Sequence, residues 1–295
     1  MPPLLRWQST TEAFLETLGE GQVLTMVRLP AGRFRMGSAA DEAGHDPEEG
    51  PVREVDLQEF LMARTPITQA QWRTVAGWEE RPGESWQKAL PLDPSLFQGE
   101  RARLGEGEVD TSQRPVERIG WEEAMEFCRR LSQRTRRRYT LPSEAQWEYA
   151  CRAGSTSPYA FGTTLTAELV TLGQQPTPVQ RHPANAWGLC DMHGNVWEWC
   201  LDHWHANYRG APSNGTAWID ANAPANADRV VRGGAWSDPP SVARSACRYH
   251  LPPQSREPAM VGIRVVCLPG GSIIGIEKSF DVESEKSFVK EWVRR

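Results

Sequence analysis

The sequence has few of the residues that build metal and redox centres. It holds six histidines and six cysteines in 295 residues. There is no CxxC pair, and no HxxxH or HxxxE spacing falls on a helical pattern. Zinc-ribbon and thioredoxin-like motifs are thereby excluded. Three disulfides are arithmetically possible among Cys128, Cys151, Cys190, Cys200, Cys247 and Cys267. A chain this long builds a core without them, so they read as mostly buried free thiols. No run approaches the roughly 20 apolar residues of a membrane span, and Met1-Pro-Pro-Leu-Leu-Arg-Trp7 lacks a signal-peptide pattern. Basic excess is absent too: the net charge of −5 gives no electrostatic reason to bind nucleic acid. The expectation is a cytoplasmic, monomeric protein without membrane or nucleic-acid partners.

What the chain does have is 13 tryptophans, 25 glycines and 23 prolines. That mix points to many tight turns with indoles as core filler. The densest stretch runs from Asn185 to Trp199. Trp187, Trp197 and Trp199 are interleaved there with Asp191, His193, Asn195 and Glu198, and Gly188 and Gly194 mark bends. Such interleaving fits no amphipathic helix. It suits a compact loop whose indoles are buried while its carboxylates and amides find partners, a hard cation among the options.

Along the chain, a short helix is read from Thr10 to Leu18, and 23–37 alternates like strands around a Pro-Ala-Gly turn. Residues 41–50 read as a solvated acidic loop and Val52 to Met62 as another strand pair. Thr68 caps a helix, and 77–112 is an irregular insertion. Trp121 to Thr135 and Glu144 to Ala153 are helices, the second opened by Ser143 and stopped by Gly154. The arginines at 134–138 read as solvating a helix end. Arg229–Arg232 and Gly262–Cys267 look like core strands, while 233–261 has almost no periodicity. Phe288, Val289, Trp292 and Val293 would share one helical face in the tail. Three helices among short strands indicate one α+β domain.

Gly188-Leu-Cys-Asp-Met-His-Gly-Asn-Val-Trp-Glu-Trp199 resembles the signature of the formylglycine-generating enzyme (sulfatase-modifying factor) family. Met36-Gly-Ser38, Pro66–Trp72, Arg114-Pro-Val-Glu117, Leu141–Ala150, Arg232-Gly-Gly-Ala-Trp236 and Gly262-Ile-Arg264 match further family segments in order. The resemblance implies a C-type-lectin-like fold with little regular secondary structure, over 23–268, between an N-terminal extension (1–22) and a tail (269–295). It also implies one structural calcium, held by the carboxylates of Asp191 and Glu198 and the backbone oxygens of Gly194 and Val196; magnesium, sodium or water could take the same place. The counterpart of a second family calcium, near Leu169–Leu172, lacks its asparagine.

Family oxidases use a copper-binding cysteine pair after the Arg-Gly-Gly motif. Those positions here are Asp238 and Ala243, which offer no thiolate, so no copper is expected; Cys247 alone does not recreate the pair. His203 and His205 flank Trp204 and would share a strand face that His193 could approach, but they read as surface or interface histidines. The sequence also resembles the variable proteins of prokaryotic diversity-generating retroelements, in which codons between Arg-Gly-Gly and Gly-Phe-Arg are rewritten at adenines. The expected function is therefore a non-catalytic protein that binds a protein or other macromolecule through residues 236–261. Trp236, Ser237, Asp238, Pro239, Pro240, Cys247, Tyr249, His250, Leu251, Pro252, Ser255, Pro258 and Ala259 form that surface. Glu257 and Met260 would be fixed, since no NNC or NNT codon encodes them. The alternative is a formylglycine-generating-type or other metal-dependent oxidase.

Overall fold

The computed structural model describes residues 10–99, 110–256, 260–269 and the strand at 278–281. The tail face around Trp292 and the chain before Thr10 lie outside the described residues.

Each helix starts where the sequence supplies a cap. Thr68 opens α1 (Gln69–Ala76) and Ser143 opens α3 (Glu144–Arg152), each through a reciprocal capping box. In α2 (Trp121–Thr135) the Glu123 carboxylate accepts the Gly120 N–H at 3.0 Å. α2 and α3 end on left-handed residues, Arg136 and Ala153.

The strands are β1 (Thr10–Gly19), β2 (Gln22–Leu29), β3 (Gly32–Met36), β4 (Arg53–Leu57), β5 (Phe60–Ala63), β6 (Arg138–Thr140), β7 (Trp197–His203), β8 (Arg229–Arg232), β9 (Tyr249–Leu251), β10 (Val261–Gly262), β11 (Val266–Leu268) and β12 (Lys278–Asp281). They form a six-stranded sheet ordered β12-β1-β2-β5-β11-β6, a four-stranded sheet ordered β10-β7-β8-β9, and the pair β3-β4. Pairing is antiparallel except between β10 and β7, where Val261 faces Trp197.

Four sequence expectations change. The first strand replaces the helix expected from Thr10. Phe14 and Leu18 are both buried, and a spacing of four satisfies a strand period of two as well as a helical turn. Pairing with β2, from Ala13–Val27 to Gly19–Gln22, decides between them. This strand is therefore part of the main sheet and not of an extension outside it. The compact loop proposed for 185–199 gives way to β7 at Trp197. The single strand expected over Gly262–Cys267 is two. β10 belongs to one sheet and β11 to the other, and buried Arg264 sits at the crossing. Finally, the acidic loop at 41–50 is not simply solvated: Glu49 is buried, and Arg244 reaches it.

Tryptophans fill two adjoining cores. Trp72 stacks on Phe127 with centroids 5.2 Å apart. The indole N–H groups of Trp72, Trp121 and Trp199 find the carbonyls of Pro91, Cys200 and Ile119 at 2.8–2.9 Å, so the buried Trp72 and Trp199 and the half-buried Trp121 carry no orphan donor. All six cysteines are free thiols and five are buried.

Buried charge is the other filler. Arg232 donates to Glu148 at 2.5 Å, and Arg152 donates to the same carboxylate at 2.8 Å. Arg264 pairs with Glu198 at 2.8 Å, Arg248 with Glu144 at 2.6 Å, and Arg244 with Glu49 at 2.5 Å. Glu148→Ala removes the carboxylate that Arg152 and Arg232 share, leaving Arg232 only Glu144 at 3.6 Å, and is expected to cost about 3–5 kcal/mol, read from urea unfolding. Arg33→Ala, at an exposed pair with Asp56, is expected to leave the urea midpoint unchanged.

Candidate functional site

The segment after β8 begins with two left-handed glycines, Gly233 (φ +105°) and Gly234 (φ +73°). A Cβ at Gly234 would lie 3.2 Å from the Ala243 backbone. The close approach and the positive φ both require glycine there. The chain then folds back on Asp238, whose Oδ2 accepts the Ala235 N–H at 2.8 Å and the Trp197 indole N–H at 2.9 Å. A 3-10 turn at Pro240–Ala243 follows, and β9 pairs antiparallel with β8. Sequence reading missed β9, because three residues, Tyr-His-Leu, carry no measurable period.

Beyond Gly234 the segment divides into a buried frame and an open set. Arg244, Ser245, Ala246 and Arg248 are buried. Arg232 binds the carbonyls of Ser245 (3.0 Å), Ala246 (2.9 Å) and Cys247. Arg244 meets Glu42, Glu49 and the Gly44 carbonyl. Arg248 spans Glu144 and the carbonyls of Glu48 (2.7 Å) and His205 (3.0 Å). His193 bridges from beneath: its Nδ1 donates to the Ala243 carbonyl at 2.7 Å and its Nε2 accepts the Ala160 N–H at 3.0 Å. Burial pushes its pKa down to about 4, which keeps the ring neutral.

Between these anchors lie positions open to solvent. Ser237, Pro239, Pro240, Tyr249 and Pro252 are exposed; Trp236, Asp238, Cys247, His250, Leu251 and Ser255 are half-buried. Pro258 and Ala259 lie outside the described residues. Ser241, Gln254 and Arg256 are exposed too and escaped the sequence reading. Tyr249, half exposed at 50%, leans on Trp197 with centroids 5.6 Å apart. His250 stacks on Trp204 at 4.4 Å and binds Asp228 Oδ2 through Nδ1 at 2.5 Å. Neither Trp204 nor Asp228 had a sequence signal, since both come from other loops.

The histidines do not gather. His203 Nδ1 accepts the Asp220 N–H at 3.0 Å, and His205 lies flat on Trp218 at 3.6 Å. Among the described residues no three His, Cys, Asp or Glu side chains cluster as a metal site. For a hard cation near Asp191 the donor set is divided. Asp191 and Asn195 take left-handed backbone (φ 56° and 67°), as short polar side chains tolerate. The half-buried Asp191 carboxylate has one close donor, the Gln180 N–H at 2.8 Å, and only a 3.5 Å contact from Asn195. Burial raises its pKa, partly offset by that N–H, so it fits a cation. Glu198 fits less well. Arg264 and the Trp147 indole N–H (2.7 Å) already occupy both of its oxygens.

Few helices, several short sheets and a long irregular segment fixed on a tryptophan core make this a C-type-lectin-like protein of the formylglycine-generating type. Residues 12–268 match the sulfatase-modifying factor enzyme 1-like domain, and the chain belongs to that family. It is 28% identical to the formylglycine-generating enzyme of Mycobacterium tuberculosis, over 83% of this chain and 98% of that one. Among solved structures, PvdO from Pseudomonas aeruginosa is similar with a TM-score of 0.71 and 30% identity, over 87% of this chain and 98% of that one. Treponema denticola variable protein 1 has a TM-score of 0.70 at 22% identity, over 87% and 99% of the two chains, a likeness of fold.

Behind Arg248 lies a titratable group with a measurable consequence. Asp202 accepts the N–H groups of Glu144 (2.7 Å) and Trp218 (2.8 Å). Burial, and then the charge of Glu144, pushes its pKa up to about 7 from 3.8. A carboxyl whose folded value is raised contributes stability that is complete below the unfolded pKa and lost as pH rises through the folded one. The melting temperature of the protein is therefore expected to fall, relative to that of Asp202→Asn, as pH rises from 4 to 7. A difference that stays constant with pH is the contrary result.

Proposed function

We propose that this protein is a non-catalytic ligand-binding protein that displays residues 236–261 as a variable surface, the variable protein of a diversity-generating retroelement. One observation carries the reading. Every described position chosen as variable is open to solvent at least in part, while the interleaved Arg244, Ser245, Ala246 and Arg248 are buried and tied to other elements. Side chains at the open positions can change without disturbing the frame, which is what a rigid scaffold offers to variable recognition. Tyr249, His250 and Leu251 supply contact area and hydrogen bonds, and Tyr249 is the most exposed large apolar group of the segment.

The geometry at the two former cysteine positions supports the same reading. Asp238 has its carboxylate committed to Trp197 and to the Ala235 N–H. Ala243 is buried against Gly234. Neither position supplies a soft ligand for copper(I). The family oxidase therefore has nothing in these side chains to act with at that place.

Calcium belongs to the proposal as a structural ion, held by Asp191 and the carbonyls of Gly194 and Val196, with Glu198 shared between the ion and Arg264. Its role would be to fix the loop beneath Trp236, whose backbone N–H donates to the Asn195 carbonyl at 3.0 Å.

Two experiments test the proposal. The DNA around the gene is expected to carry a near-copy of the codons for 233–267, mismatched only at adenines, beside a reverse transcriptase. A locus without such a copy removes the diversification reading. Adding calcium to chelated protein is expected to raise the melting temperature by about 5 °C at concentrations ~100-fold above Kd, and Asp191→Ala to abolish the shift; equal melting with and without calcium refutes the ion.

A further inference from the structure

We infer that a cleft at the C-terminal end of α3 is a binding site for a small aromatic carboxylate. This goes beyond the displayed surface, because none of its residues lies within 236–261. The cleft encloses about 400 Å³ between β3, the loop after α3 and Trp187.

Its walls are aromatic and already ordered. Tyr149 lies between Phe34 (centroids 5.3 Å apart) and Trp187 (4.6 Å), and the rings of Phe34 and Trp187 are only half-buried. The Tyr149 hydroxyl donates to the Pro30 carbonyl at 3.1 Å. Gly32 makes room for it: a Cβ there would come within 2.5 Å of that oxygen. Ring faces held this way accept a flat ligand without first losing rotamer freedom.

Its charge is positive. The buried Arg152 lines the cleft and uses three of its five N–H donors, on Glu148 (2.8 Å), the Gly37 carbonyl (2.9 Å) and the Ser157 carbonyl (3.2 Å). Glu148 is shared with Arg232, so one carboxylate serves two guanidiniums. At the rim, Arg35 is exposed and has no ion pair among the described residues. Arg33 is neutralised by Asp56, and the one lining carboxylate, Glu42, is turned to Arg244. Spare guanidinium donors beside half-buried aromatic rings match a carboxylate attached to an aromatic ring. A cationic analogue meets the same arginines and is repelled.

The probe is 2-naphthoate, titrated by calorimetry and by saturation-transfer NMR against the whole protein. Saturable binding at one site is expected, with a Kd of about 1 mM or tighter, the range a ligand of this size reaches. 2-Naphthylmethylamine at equal concentration is expected not to bind. Arg35→Gln is expected to weaken 2-naphthoate about fivefold and Trp187→Leu about tenfold, whereas Arg28→Gln, an exposed arginine elsewhere, leaves it unchanged. No saturation by about 10 mM, equal binding of the amine, or an affinity indifferent to Arg35→Gln overturns the assignment. Arg35 is exposed on its strand, so its variant decides the matter even if Trp187→Leu does not fold.

Discussion

Four arginines, each buried and each paired with a glutamate from a different part of the chain, hold the C-terminal third of this protein in place. Arg232 reaches Glu148 in α3, Arg244 reaches Glu49 in the early loop, Arg248 reaches Glu144 at the start of α3, and Arg264 reaches Glu198 in β7. A segment with almost no helix or strand cannot satisfy its own backbone. These guanidiniums do it from the side chain: Arg232 alone takes the carbonyls of three successive residues, 245 to 247. Buried ion pairs add little net stability, because desolvation offsets attraction. Their effect is on uniqueness, since a displaced arginine would be left charged in the core with nothing to compensate it.

The division of labour within residues 236–261 follows from this. Positions whose side chains carry the anchoring, such as Arg244 and Arg248, are fixed by charge pairing. Positions between them are free because their backbone is already held. The tryptophans complete the support: Trp197 packs against Tyr249, and Trp204 contacts both Arg248 and His250. Indoles give such a platform large rigid area at small entropic cost. The cleft beside α3 depends on the same network, because Glu148 and Arg152 belong to both.

Helices were legible because their signals are local. The caps at Thr68 and Ser143 and the apolar face of 121–135 lie within a few residues of what they control. β8 was legible as a short β-branched run. The strand at 10–19 was not, because Phe14 and Leu18 fit either period and the deciding partner, β2, is a pairing and not a propensity. The acidic loop misled for a related reason: its composition is that of a solvated turn, and the cation that buries Glu49 arrives from Arg244, some 195 residues away in sequence. The pairing of Glu198 with Arg264 was equally invisible, because the two lie 66 residues apart in the chain.

By itself the sequence determined the family, the α+β class and the absence of thiolates at 238 and 243. All of these rest on residue identity or short-range pattern. The tertiary structure alone decided which charges are buried, which carboxylate each arginine takes, and how Phe34, Tyr149, Trp187 and Arg35 come together around one cleft. Such decisions depend on desolvation and on contacts between residues far apart in the chain, and neither is encoded in any local stretch.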